Sequence, residues 1–179
     1  MKLNTLQVII LACLLLLGIG CTPELEVTSA EGLRPIYVSG ADLNISLQEP
    51  RRYEELGQIV YVDPYLLIGE VYRGIHVVDN SDPVFPAKKH FINIPGCSTF
   101  TVGNGVIYAT SGKDLVTVAF DGETLSERSR VEAYFSENDA LDQVSPINYN
   151  GYFECVDPAQ GTVIGWVADI IENPECRTN

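Results

Sequence analysis

Few residues of this 179-residue chain have the types and spacing that catalysis or metal binding requires. There are two histidines. His76 lies between Ile75 and Val77 in a predicted strand, which puts its side chain on the face opposite theirs, and His90 follows two lysines. A zinc site needs about four convergent ligands, so two isolated histidines and scattered thiols do not indicate one. The sequence contains neither a Gly-x-Ser-x-Gly nucleophile elbow nor a phosphate-binding glycine loop. We therefore predict no catalytic residue, no metal ligand and no cofactor.

Two acidic segments are the remaining candidates for chemistry. The first, residues 79–82, has oxygens that could bind calcium, but its spacing is not that of an EF-hand loop and its composition is typical of an Asx turn. The second contains Glu137, Asp139 and Asp142, and paired carboxylates hydrolyse glycosidic bonds when their separation is right. A solvated loop is the default interpretation of this segment. An exported hydrolase that uses these acidic loop residues is the alternative function.

Cys21 carries the clearest chemical signal. An apolar run from Val8 to Leu17 is followed by Gly-Ile-Gly and then by this cysteine, which is the pattern of a secretory signal. The run is shorter than the about 20 residues that a spanning helix needs. The pattern is similar to a bacterial lipoprotein signal, which implies removal of residues 1–20 and a lipid on Cys21. An ordinary cleaved signal is the alternative, because Gly18 stands where lipoprotein signals usually have leucine.

The residue after Cys21 bears on location. By similarity to the sorting rule of bacterial lipoproteins, an aspartate there retains the protein in the inner membrane, and this chain has Thr22. The resemblance therefore implies a lipid anchor in the outer membrane. Whether the body faces the periplasm or the exterior stays open.

Three further cysteines would remain in the exported chain. Disulfides form in such compartments, and three thiols allow three pairings with one thiol left over. We favour Cys155–Cys176, because this bridge would attach the C-terminal tail to the strand that contains Cys155. Closing a loop of about 20 residues would contribute about 3 kcal/mol. Cys97 follows a Pro-Gly turn without a close cationic neighbour, so we expect a half-buried, unreactive thiol.

The composition excludes some partners and indicates the fold class. The chain has 11 basic and 24 acidic residues, a net charge of −13. This balance argues against nucleic acid, which needs a basic surface. Short runs rich in Val, Ile, Tyr, Thr and Phe alternate with Gly, Pro, Asn and Asp, as in an all-β protein.

The apolar runs repeat. Four predicted strands follow Gly57, among them Tyr65–Glu70 and Gly74–Asp79, and the same order recurs 40 residues later, with Ser129–Phe135 as the predicted outer strand. The matching pairs are Val62 and Val102, Leu67 and Ile107, Ile75 and Leu115, and Val78 and Val118. A third, looser copy begins after Pro146. We thus predict a signal at 1–20, a tether and N-terminal extension at 21–56, and a β-repeat domain at 57–179, with units at about 57–97, 98–135 and 146–179.

A repeat of about 40 residues with four strands is typical of a propeller blade. Its most specific segment is 74–83, a glycine, an aliphatic run and then Asp-Asn-Ser-Asp-Pro. This segment resembles the repeat of the bacterial LVIVD-repeat β-propeller family, including its short lipid-anchored members. The likeness covers residues 57–135 and, more weakly, 146–167. The copy at 114–122 departs from it, because Asp114 replaces the glycine and no Ser-x-Pro follows. The resemblance implies fold and location and no activity.

The expected fold is therefore all-β, with about three propeller-like blades of antiparallel four-stranded sheets. Propellers typically have four to eight blades, so we expect an incomplete or open ring, an oligomer, or a small sandwich. An open ring leaves a blade edge unpaired, which favours a protein or glycan partner there. The predicted function is that of a membrane-anchored exported lipoprotein acting as a non-enzymatic binding or scaffold module.

Overall fold

A computed structural model describes residues 27–135, 145–146 and 149–178. Within these ranges the backbone forms β-strands and two short 3₁₀ helices, Gly40–Leu43 and Pro158–Gln160, which confirms the all-β prediction. Neither helix has the length and apolarity that crossing a membrane requires. The strands are β1 (Ser29–Val38), β2 (Ser46–Gln48), β3 (Leu56–Val62), β4 (Tyr65–Glu70), β5 (Gly74–Asp79), β6 (Ala87–Asn93), β7 (Phe100–Gly103), β8 (Val106–Ser111), β9 (Asp114–Phe120), β10 (Leu125–Val131), β11 (Gly151–Phe153), β12 (Thr162–Glu172) and β13 (Cys176–Thr178).

The strands form three sheets. Sheet I has the order β12-β1-β11-β13, sheet II the order β2-β6-β5-β4-β3, and sheet III the order β10-β9-β8-β7. Sheets II and III contain the first two repeats, and in each the four consecutive strands pair as an antiparallel meander. In the described part of the chain these sheets close no ring.

Equivalent residues of the first two repeats are 40 positions apart through the second strand of each repeat. From the third strand onward, the structural equivalence shifts by one residue. Leu67 pairs with Val77 in sheet II, whereas Ile107 pairs with Val118 in sheet III. The connection between β4 and β5 has three residues and the one between β8 and β9 has two. Because side chains alternate between faces, this shift turns Leu115, the sequence equivalent of Ile75, to the opposite face.

The outer strand of the second repeat differs from the expectation of Ser129–Phe135. It spans Leu125–Val131, because the chain reverses tightly after β9. The Asp121 carboxylate accepts the backbone N–H groups of Glu123 and Thr124 and the Thr124 hydroxyl. Most of the strand is polar, so hydrophobic patterning does not reveal it.

Sheet I is not a third meander. The N-terminal strand β1 lies between two C-terminal strands, antiparallel to β12 and parallel to β11. Residues 29–38 and 46–48 of the predicted tether and extension are therefore sheet strands. Pro35 pairs with Trp166 of β12, whereas the pairing with β11 covers only Gly32 and Leu33, so the missing proline N–H breaks no ladder on that side.

The main core lies between sheets II and III. Ile75, Ile92 and Ile94 have no exposed surface, and burying such a side chain contributes about 1.5–3 kcal/mol. They share one cluster with Phe100, Val116 and Val118 of sheet III. The two sheets that carry the clearest repeat thus form one packed unit.

Candidate functional site

The predicted lipid site, Cys21, and the predicted signal at 1–20 lie outside the described residues. The acidic residues Glu137, Asp139 and Asp142 of the alternative hydrolase also lie outside them. The structure therefore bears on neither prediction.

The predicted bridge between Cys155 and Cys176 is present, with the Cα atoms 5.3 Å apart. Cys176 begins β13 and pairs in register with Phe153 of β11. The bridge therefore holds the C-terminal strand on sheet I at the point where its pairing begins.

The remaining thiol is more deeply buried than expected. Cys97 is 3% exposed, and its sulfur lies 3.7 Å from the carbonyl oxygen of Thr99. Burial raises the pKa of this thiol to about 12. A thiolate nucleophile is therefore not available at neutral pH.

The acidic turn at residues 79–82 has the predicted Asx geometry. The Asp79 carboxylate accepts the backbone N–H of Ser81 at 2.9 Å and its hydroxyl at 2.6 Å. These bonds to Ser81 hold the pKa of Asp79 below its usual range. The Asp82 carboxylate accepts the N–H of Val84 at 3.0 Å. One oxygen of each carboxylate is thus engaged in closing the turn.

A buried polar pair lies on the face of sheet II that points away from the main core. As predicted, His76 lies opposite its aliphatic neighbours, but both His76 and Glu70 are only 1% exposed. The Nε2 atom of His76 is 2.8 Å from Oε2 of Glu70. Sequence reasoning missed Glu70. Strand alternation offered a signal, because Glu70 is two residues beyond Ile68, the register partner of His76.

The electrostatics of the pair favour a carboxylate and a neutral imidazole. Burial opposes the charge on Glu70, but hydrogen bonds from His76 and from the backbone N–H groups of Glu54 and Glu55 outweigh it and lower the pKa of Glu70. Burial lowers the pKa of His76 and, together with the positive charges of Arg51 and Lys88, outweighs the hydrogen bond and negative charge of Glu70, which raise it. We therefore assign the proton to Nε2, which donates to Glu70. Nδ1 has no partner among the described residues.

Residues 49–55, which we call the covering segment, close this face of sheet II. The Tyr53 ring lies 4.6 Å from the His76 ring, and Arg51 lies 4.2 Å from the centre of the Phe91 ring. The Lys88 ammonium lies over Tyr53 and donates to the Arg51 carbonyl at 3.0 Å. A pair covered in this way has no access for a substrate. The role of the pair is structural. The Glu70 carboxylate accepts two N–H groups of the covering segment and so holds that segment in place.

The aromatic residues near the turns occupy different environments. Tyr65 and Phe120 line an apolar cavity of about 110 Å³ between sheets II and III. Tyr72 packs against Gly165 of sheet I. Tyr61 lies on the free strand of sheet II and is exposed.

Strand β3 is the end strand of sheet II, and it is the candidate interaction site. Ile59 is 63% exposed and Tyr61 is 59% exposed, and the two project to the same face. The Gln58 side chain donates to the Phe100 carbonyl and accepts from the Thr99 hydroxyl. These bonds fix the start of the strand against sheet III and leave residues 59–62 as its free portion.

Comparison of the chain with protein-family models, with curated proteins and with solved structures found no match. The resemblance to the LVIVD-repeat family therefore stays a prediction from the residues of the repeat.

Proposed function

We propose that this chain is an exported, lipid-anchored, non-enzymatic binding module whose partner adds an extended segment to the edge of β3. The lipid is carried by Cys21, and sheets II and III are two propeller-like blades of an open arrangement. The observation that carries the proposal is the exposure of apolar side chains on an uncharged edge strand.

The edge strands of the sheets differ in the features that protect them from pairing with another chain. Edge strands of soluble proteins usually carry charges, prolines or bulges that prevent pairing with other chains. β10, at one edge of sheet III, carries Glu127, Arg128 and Arg130. β3 has seven residues and no charged or proline residue, and its register irregularity lies between Leu56 and Ile59, ahead of the free portion. This longer uncharged edge, with Ile59 and Tyr61 exposed, favours strand addition.

The charges beside β3 favour a different chain over a second copy. If two copies paired antiparallel about Ile59, the midpoint of β3, Glu55 of each would lie opposite Asp63 of the other. Like charges in opposite positions destabilise strand pairs. A partner segment with apolar residues at its centre and basic residues at its ends fits this edge.

The test uses the full-length chain in cells, with a photoreactive amino acid in place of Ile59 or Tyr61. The control positions are Phe85, which is 77% exposed, and Arg128 on β10. We expect a discrete adduct from the two β3 positions and none from the controls. Sequencing of the cross-linked peptide should give an apolar segment flanked by Lys or Arg.

A charge placed on the edge provides the matched variant. Ile59→Lys should abolish the adduct from position 61, and Phe85→Lys should retain it. An adduct formed with the chain itself, equal adducts from the control positions, or no adduct would each overturn the proposed partner.

The anchor is tested separately. Metabolic labelling with a palmitate analogue should mark the wild type and leave Cys21→Ala unlabelled. Equal labelling of both would refute the lipid anchor without affecting the result at β3.

A further inference from the structure

A polar cleft of about 180 Å³ lies where sheet I meets sheet II. A cavity needs about 10–15 Å³ to hold one water molecule. The cleft volume is therefore large enough for a ligand of many atoms. Its polar lining comes from separate segments and consists of Tyr37, Ser39, Asp42, Arg51, Arg73, Asn93 and Gln160.

The charge of the cleft lining is opposite in sign to the net charge of the whole chain. The whole chain has more than twice as many acidic as basic residues, with 24 against 11. The lining contains two arginines and one aspartate. Low-dielectric walls focus such a local field, so a small anion is favoured over a cation here.

Both arginines are available to a ligand. Among the described residues, the Arg51 guanidinium has no carboxylate partner, and it rests on the Phe91 ring at 4.2 Å. Arg73 pairs with Glu54 at 3.4 Å, but both side chains are partly exposed. An exposed pair contributes at most about 1 kcal/mol, so a bidentate carboxylate can displace Glu54.

The rest of the lining suits hydroxyl groups. The Tyr37 oxygen accepts the N–H of Asp157 at 2.8 Å, which leaves its own proton free to donate. Ser39 and Gln160 offer further donors and acceptors, and the Asp42 carboxylate accepts hydrogen bonds. A ligand with several hydroxyls would find hydrogen-bond partners in this lining.

One wall of the cleft is fixed before any ligand arrives. The amide of Asn93, a buried residue of β6, donates to the carbonyls of Asp42 at 2.9 Å and Asn44 at 2.7 Å. These bonds attach the 40–44 turn to sheet II. Preorganisation of this kind reduces the entropy lost on binding.

We infer that this cleft binds a small hydroxylated carboxylate of monosaccharide size, with its carboxylate on Arg51 and Arg73 and its hydroxyls on Tyr37 and Asp42. The inference concerns residues that the proposed partner at β3 does not touch. It stands or falls independently of that proposal.

The test is isothermal titration calorimetry of the full-length protein in detergent, with glucuronate as the probe. Glucose, acetate and inorganic phosphate serve as comparison ligands, because they lack the carboxylate, the hydroxyls, or the carbon skeleton. We expect saturable binding of glucuronate and at least tenfold weaker binding of the other three.

Matched variants locate the site. Arg51→Gln and Arg73→Gln should each weaken glucuronate binding at least tenfold, and Arg52→Gln should leave it unchanged, since Arg52 is an exposed neighbour outside the lining. Thermal unfolding of each variant checks that it is folded, and either cleft variant suffices if the other is not.

Absence of glucuronate binding overturns the inference. Equal binding of phosphate or acetate overturns the assignment of a hydroxylated carboxylate. An equal loss in Arg52→Gln shows that general electrostatics, and not the cleft, causes the binding.

Discussion

The carboxylate of Glu70 holds Nε2 of His76 at 2.8 Å, and both residues are 1% exposed. The same carboxylate accepts the N–H of Glu54 at 3.2 Å and that of Glu55. One side chain therefore accepts from three donors in two segments, the buried ring nitrogen of His76 and two part-buried backbone N–H groups. The covering segment lies across sheet II because this carboxylate binds it.

Replacing Glu70 should therefore destabilise the fold. Glu70→Ala removes the acceptor of the buried His76 donor, which costs about 1–3 kcal/mol, and of two part-buried N–H groups, whose loss costs less because water can reach them. We expect the free energy of unfolding to fall by about 3 kcal/mol, measured by urea denaturation and fluorescence of Trp166, the one tryptophan.

The matched control is Glu123→Gln, which removes an ion pair between Lys89 and an exposed carboxylate. Such pairs contribute about 1 kcal/mol or less. An equal effect of the two variants would contradict the role assigned to Glu70.

The same pair predicts that acid destabilises the protein. Burial lowers the pKa of His76 below its ordinary value of 6.5, so the unfolded chain takes up this proton at a higher pH than the folded chain does. Stability is therefore fully present above pH 6.5 and declines as the pH falls towards the folded pKa.

Protonation of Glu70 also destabilises the folded protein, at a lower pH than protonation of His76. Its hydrogen bonds outweigh burial and hold its pKa below 4.5, so its contribution is lost as the pH falls from that value. Urea midpoints measured from pH 7 to pH 4 should decrease continuously. His76→Gln should flatten the part of the profile that begins at pH 6.5, and an unchanged profile in that variant would refute the assignment.

The strands of the two repeats could be predicted because their apolar runs are bounded by turn residues. β4 and β5 were predicted at the bounds that the structure has. The predicted bounds of β10 differ from the observed ones because the side chains of this strand are mostly polar. The insertion of β1 into a C-terminal sheet depends on contacts between distant segments, and no local pattern in residues 29–38 indicates it.

Sequence reasoning about side chains succeeded where one local rule decided the outcome. The bridge between Cys155 and Cys176 followed from the position of the tail, and the Asx turn followed from the residue types at 79–82. Glu70 was missed because its partners come from two other segments, β5 and the covering segment. The cleft that contains Arg51 and Arg73 was missed for the same reason, since its walls belong to two sheets.

The disulfide should contribute measurably to stability. Its cysteines are 21 residues apart, and closing a loop of this size stabilises by about 3 kcal/mol. The double variant Cys155→Ser, Cys176→Ser should unfold at correspondingly lower urea concentration. Non-reducing peptide mapping should recover the 155–176 peptide pair from the wild type and from Cys97→Ala. Recovery of a bridge to Cys97 would contradict the structure.

Cys97 should be unreactive while the protein is folded. Burial raises the pKa of this thiol to about 12, so almost no thiolate forms at pH 8. In native wild-type protein, iodoacetamide should leave Cys97 unmodified over hours, and in urea it should modify this residue within minutes. Modification at the same rate in both conditions would show that the thiol is accessible.

Gly96 lies where sheets II and III are joined, and its replacement should loosen that joint. Its N–H donates to the Tyr72 carbonyl at 2.7 Å, and its carbonyl accepts the N–H of Gly112 at 3.2 Å. Its φ is +75°, and a Cβ there would lie 2.4 Å from the Gly112 nitrogen. Gly96→Ala therefore adds a clash with backbone to the conformational strain.

Gly105 provides the control, because its φ is +77° and a Cβ there would meet nothing within 4 Å. Gly105→Ala should cost about 1–2 kcal/mol, the penalty of a left-handed backbone conformation alone. Gly96→Ala should cost more than this in the same urea titration, because the backbone of Gly112 must move. Equal losses in the two variants would show that the contact between Gly96 and Gly112 does not hold the sheets together.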